Sequence, residues 1–146
     1  MSTADVARNK AAIIERSVRR ARAVYAGTPA NLRDDLTRQD SIVLNIQRAC
    51  EAAVDLAMHL ARVHHLGIPQ DSRTAFELLV GAGRLEPGFE ASLQRMVGFR
   101  NIAVHDYQSL NLDVVQSILA TDLDDLLAFA SSALRQTNPT ADPGTA

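Results

Sequence analysis

Residues 42–63 read IVLNIQRACEAAVDLAMHLARV. Ile42, Ile46, Ala49, Ala53, Leu56, Leu60 and Val63 fall at alternating steps of four and three. That spacing keeps returning to one side of a 3.6-residue turn, so the stretch is predicted to be a long helix with a single apolar stripe. Strict alternation favours near-antiparallel packing on a partner helix. Gly67 and Pro69 end it, and its start falls between Asn31 and Thr37, each a plausible N-cap. Cys50, set among Ala and Leu on this helix, reads as a buried, inert thiol.

Outward from this stretch the periodicity stays helical. On the N-terminal side, Ile14, Val18, Ala21 and Tyr25 form the stripe of a helix over about 4–26, stopped by Gly27 and Pro29. On the C-terminal side, Asp71 or Ser72 caps a short helix over about 72–80, with Phe76, Leu79 and Val80 as its apolar side and Gly81 and Gly83 as its breakers. Pro87 suits the first turn of a fourth helix. Its inner face is Phe89, Leu93, Met96 and Val97, continued by Phe99, Ile102 and Ala103, and it is expected to fray near His105. Asn111 caps a fifth, which carries Val115, Ile118, Leu119, Leu126, Ala130 and Ala133. No strand pattern, repeat or linker interrupts this order. The fold expected is all-α: an up-and-down bundle of about five helices in one domain over 1–136, followed by a disordered tail over 137–146.

Composition narrows the function. A chain of 146 residues with 47 % apolar side chains has enough for one real core. Aromatics make up only 4 %, and a small aliphatic core suits closely packed helices. The net charge of −2 argues against holding nucleic acid by bulk charge, though a local basic cleft stays open. Fourteen of the fifteen basic residues are arginine, which a GC-rich genome explains as well as phosphate recognition does. Arg16, Arg19, Arg20 and Arg22 read as a solvated face or as a basic wall, and Asp122, Asp124 and Asp125 as a solvated acidic surface or, as the minority reading, a contact with a second copy or a partner protein.

Other classes drop out. A single cysteine cannot form an internal disulfide. No signal peptide and no membrane-spanning run is visible, so a cytoplasmic protein without membrane contact is expected. There is no Gly-rich phosphate loop, no CxxC pair and no nucleophile elbow. His59, His64 and His65 have no cysteine or paired carboxylate to complete a set, so no metal site is expected.

Chemistry concentrates instead in Gly98-Phe99-Arg100-Asn101-Ile102-Ala103-Val104-His105-Asp106-Tyr107. Arg100 offers a permanent cation with a fork of donors suited to phosphate. His105 can take or give a proton near neutral pH. Metal-free RNA cleavage needs a base for the 2′-hydroxyl proton, a cation for the charge on the phosphorane, and an acid for the leaving 5′-oxygen. Histidine suits the first or third role and arginine the second. Five residues place Arg100 and His105 about 140° apart around a straight helix. They cannot meet side by side on one straight helix; they converge if the helix ends near His105, or if a second copy of the chain supplies the opposite wall, with two arginines and two histidines.

An Arg-x4-His pair alone is weak, but the longer string Arg100-Asn101-x-x-x-His105-x-Tyr107 is specific. It resembles the RNxxxHxY signature of the HepT-like proteins of the HEPN superfamily. Asp40-Ser41-Ile42-Val43-Leu44-Asn45-Ile46-Gln47-Arg48-Ala49-Cys50-Glu51-Ala52-Ala53 resembles that family's second helix, and the likeness runs from about Ile13 to Leu134. The resemblance implies a HEPN-like homodimer acting as the ribonuclease toxin of a type VII-like toxin–antitoxin system. Arg100 and His105 would line a cleft between protomers as catalytic residues. Asn101 would orient His105 or bind phosphate, although a structural amide fits equally. Asp40 and Asn45 would lie toward the cleft.

The partner implied is a minimal nucleotidyltransferase antitoxin that transfers AMP from ATP to Tyr107. The bulk and negative charge of that group would block RNA. No cofactor is implied for this chain, since ATP is used by the partner. The alternative is a non-catalytic HEPN module that binds a nucleotidyltransferase or a nucleotide.

Overall fold

A computed structural model describes residues 2–137 of the chain; of the tail expected over 137–146, all but its first residue lies outside the described residues. The first helix, α1, spans Thr3–Tyr25. Ser2 caps it by accepting from the Asp5 backbone N–H, and the Asp5 carboxylate accepts from the Ser2 N–H in return. The helix unwinds through Ala26 and Gly27, both at positive φ.

A short helix absent from the sequence reading follows, α2 over Pro29–Arg33. The long helix, α3, then runs Leu36–Val63 with Asp35 as its cap. The structure thus corrects the choice of cap. Asn31 is spent elsewhere: its amide donates to the Tyr25 carbonyl at 2.9 Å and ties α2 to the end of α1. After α3 come α4 over Ser72–Gly81 and α5 over Pro87–His105. Asp71, not Ser72, caps α4 by accepting from Thr74. A 3-10 turn spans Tyr107–Ser109, and Asn111 caps α6, Leu112–Ser117. A π-helical turn, Ile118–Asp122, joins α6 to α7, Leu123–Thr137. Thr137, expected to begin the tail, is instead the last helical residue; its hydroxyl donates to the Ala133 carbonyl.

The helix first read from sequence is the centre of the bundle, with α1, α4, α5 and α7 packed around it. Ile42, Ile46, Ala49, Leu56 and Leu60 on its stripe have no exposed surface. Cross-helix bonds fix the directions. Lys10 pairs with Asp55, and the His59 ring bonds the Thr3 carbonyl, so α1 and α3 are antiparallel. Ser72 meets Arg100 and the Arg73 carbonyl meets Gln94, so α4 and α5 are antiparallel as well. Phe76 of α4 and Phe129 of α7 meet edge to face at 5.8 Å.

Two expectations of burial are overturned. Asp122 is not surface: it is 1 % exposed and holds the Arg95 guanidinium through two bonds of 2.8 and 2.9 Å. Burying a carboxylate requires such a partner. Ile102, expected in the core, is 43 % exposed. Among the described residues, no helix is long and apolar enough to cross a membrane.

Candidate active site at the end of α5

Helix α5 stops at His105 because Asp106 leaves helical geometry at φ −154°, ψ 67°. The Asp106 N–H still reaches the Ile102 carbonyl at 2.8 Å. Ser109 then folds back on Asp106, its N–H to the carbonyl at 3.0 Å and its hydroxyl to the carboxylate at 2.6 Å. Asp106, to which the sequence reading gave no role, therefore closes the turn that carries Tyr107.

Arg100 is half-buried and leans on α4, where its Nη2 donates to Ser72 Oγ at 3.2 Å. Its Nε is buried without a hydrogen-bond partner. A buried donor left unpaired is costly, which marks this guanidinium as short of an acceptor. Its charge is also felt by Cys50: burial pushes that thiol up to about 12, and the Arg100 cation is the main influence opposing the rise. Asn101 and His105 are exposed on one face, and among the described residues neither side chain has a hydrogen-bond partner. Five residues of helix separate Arg100 from His105 by about 7.5 Å along the axis as well as by the rotation around it. No hydrogen bond joins them within one chain.

Tyr107 is brought to a partner. Its hydroxyl donates to Asp40 Oδ1 at 2.6 Å across 67 residues of sequence, with Gln39 Oε1 at 3.5 Å beyond. Partial burial raises the phenol pKa well above its ordinary value, and the Asp40 hydrogen bond and charge add to the rise. Asp40 thus stands beside Tyr107. Asn45 is buried instead: it is 3 % exposed, its amide donating to the Ser41 carbonyl while its Oδ1 is buried without a partner. Sequence reasoning missed Ser72, because a contact spanning 28 residues leaves no local signal.

Apolar side chains stand open around these groups. Ile102 and Val104 on α5 are 43 % and 46 % exposed, and Leu44 on α3 is 43 % exposed. Beside them runs a groove of about 460 Å³, lined by Arg73, Arg95, Gly98, Ile102 and Asn111 among others. The histidines of α3 are engaged elsewhere: His59 with the Thr3 carbonyl and with Arg62, His64 with Gln136.

The profile of the ribonuclease HepT-like family matches residues 14–133. The chain belongs to that family. The matched segment holds the whole motif of this HepT-like chain together with Asp40 and Ser72, the residues it touches. An mRNA nuclease HepT from Shewanella oneidensis is 46 % identical over 125 residues, covering 86 % of this chain and 93 % of the relative. A solved structure of a tri-AMPylated Shewanella oneidensis HEPN toxin in complex with MNT antitoxin superposes with a TM-score of 0.82 at 44 % identity, covering 88 % of this chain and 96 % of that one. A crystal structure of a toxin–antitoxin with AMP-PNP gives 0.82 at 43 % identity, covering 88 % and 98 %.

Proposed function

We propose that this HepT-like chain is the toxin of a toxin–antitoxin pair, a metal-independent endoribonuclease that works as a homodimer in the cytoplasm. One observation carries the reading: Arg100 and His105 both keep hydrogen-bonding capacity that the monomer does not use. Arg100 keeps a buried donor unpaired and, among the described residues, the His105 side chain has no partner, while Ile102 and Val104, on either side of His105 around the helix, expose apolar surface. A second copy seated on that surface would cover it and face one motif with another. The grooves beside α5, each lined by Arg73 and Arg95, would then lead a strand toward the site.

In the proposed reaction one His105 takes the 2′-hydroxyl proton and the 2′-oxygen attacks the adjacent phosphorus. The bond to the 5′-oxygen breaks, and the partner's histidine gives that oxygen a proton. Arg100 donates to the non-bridging oxygens as charge builds on them. Asn101 holds the phosphate or the imidazole. Control comes from the partner. The relatives include an AMPylated toxin bound to an MNT antitoxin, which supports a nucleotidyltransferase that moves AMP from ATP onto Tyr107. A phosphodiester two residues from His105 would repel RNA.

The test is cleavage of RNA by the purified chain in EDTA, wild type against His105→Ala. Removing a general acid–base is expected to lower the rate about 10²- to 10⁴-fold with no change in thermal stability. Wild-type protein that leaves RNA intact would sink the nuclease assignment and favour a non-catalytic HEPN module.

A further inference from the structure

The hydrogen bond between Tyr107 and Asp40 stands apart from the rest of the motif. Arg100, Asn101 and His105 are left with unused capacity, but the Tyr107 hydroxyl is already committed. It has one proton, and the distances direct that proton to Asp40 at 2.6 Å and not to Gln39 at 3.5 Å. Both ends of the contact are fixed. The Asp106–Ser109 bonds hold the turn that carries Tyr107. Asp40 sits in the second turn of α3, next to Gln39, whose amide is tied to the Leu32 carbonyl at 3.0 Å. Tyr107 as a residue is 37 % exposed, which leaves its side chain open to a partner while its proton points at the carboxylate.

We infer that Asp40 is the base for adenylylation of Tyr107: its carboxylate aims the phenol oxygen and takes its proton as AMP is transferred. The inference rests on the proposed role of Tyr107 as acceptor. In the step, a bond forms between Tyr107 Oη and the α-phosphorus of ATP. The bond from that phosphorus to its bridging oxygen breaks, and pyrophosphate leaves with the electron pair. The phenol proton passes to Asp40 Oδ1.

Partial burial, with the Asp40 hydrogen bond and charge, holds the phenol pKa above its ordinary value, so the proton stays on the phenol oxygen at rest. It moves when the forming P–O bond makes the phenol oxygen acidic, which is when a positioned base helps. Asp40 then passes the proton on to water.

The experiment follows AMP addition by intact-mass spectrometry, using the full chain, ATP and the cognate nucleotidyltransferase at saturation. Asp40→Asn keeps the size and an acceptor oxygen but cannot take the proton. Its transfer rate is expected to fall at least tenfold, while its affinity for the nucleotidyltransferase and its melting temperature stay near wild type. Asp40→Glu is expected to recover part of the rate. An Asp40→Asn rate within twofold of wild type at saturation overturns the inference. So does a deficit that disappears once the partner is saturating, which would make Asp40 a docking residue. Wild-type chain that gains no AMP on Tyr107 would remove the underlying reading of Tyr107 itself.

Discussion

The two halves of α5 obey opposite rules. In the first half, Leu93, Met96 and Val97 are buried, Ser92 donates to Asp125, Arg95 is held by Asp122, and Gln94 donates to the Arg73 carbonyl while its Oε1 is buried without a partner. In the second half, Ile102 and Val104 face solvent, a buried donor of Arg100 is unpaired, and among the described residues the Asn101 and His105 side chains have no hydrogen-bond partner. One continuous helix is therefore covered and, but for one amide oxygen, paired where it serves the fold, and left open where it carries the motif. Cores tolerate few unpaired polar groups, and exposed apolar clusters mark contact surfaces. The second half is shaped for molecules that are not part of the monomer.

Substitutions along α5 sharpen that contrast. The largest loss of folding stability is expected in the first half. Leu93→Ala should cost about 2–5 kcal/mol in urea denaturation, through lost burial and the cavity left behind. A smaller loss, about 2 kcal/mol, is expected for Asp122→Ala, which removes two charge-assisted bonds. Arg95 is half exposed and can turn to water, so the cost stays below that of a fully enclosed pair. In the second half, Val104→Ser should change monomer stability by no more than about 0.5 kcal/mol at low protein concentration. The same change should shift the sedimentation coefficient toward the monomer and reduce RNA cleavage with it. A Val104→Ser chain that melts like Leu93→Ala would erase the distinction between the halves.

How far the sequence foretold this depends on range. The stripe of α3 was legible because one helix face is written in local spacing, and six of its seven members are buried in the structure. The same periodicity held the clue to Asp122. Positions 115, 118, 122 and 126 share a face, but the residue's charge and its acidic neighbours suggested solvent. Ile102 erred the other way: its apolar side chain suggested core, although it stands on a face that the monomer does not cover. Helix α2 is five residues long, too short to show a period. The motif itself could be quoted from sequence, residue by residue. Its surroundings could not, because Ser72 beside Arg100 and Asp40 beside Tyr107 are joined by folding over 28 and 67 residues.

Cys50 has a practical consequence. The thiol is enclosed in α3 and held in its protonated form, so it offers maleimide reagents almost no thiolate. A cysteine introduced on the outer face of α5 would then be the one reactive sulfur in each copy. A spin label or dye placed there would serve as a ruler between the two motifs of the proposed homodimer, with no background from the native sulfur and no need to remove it.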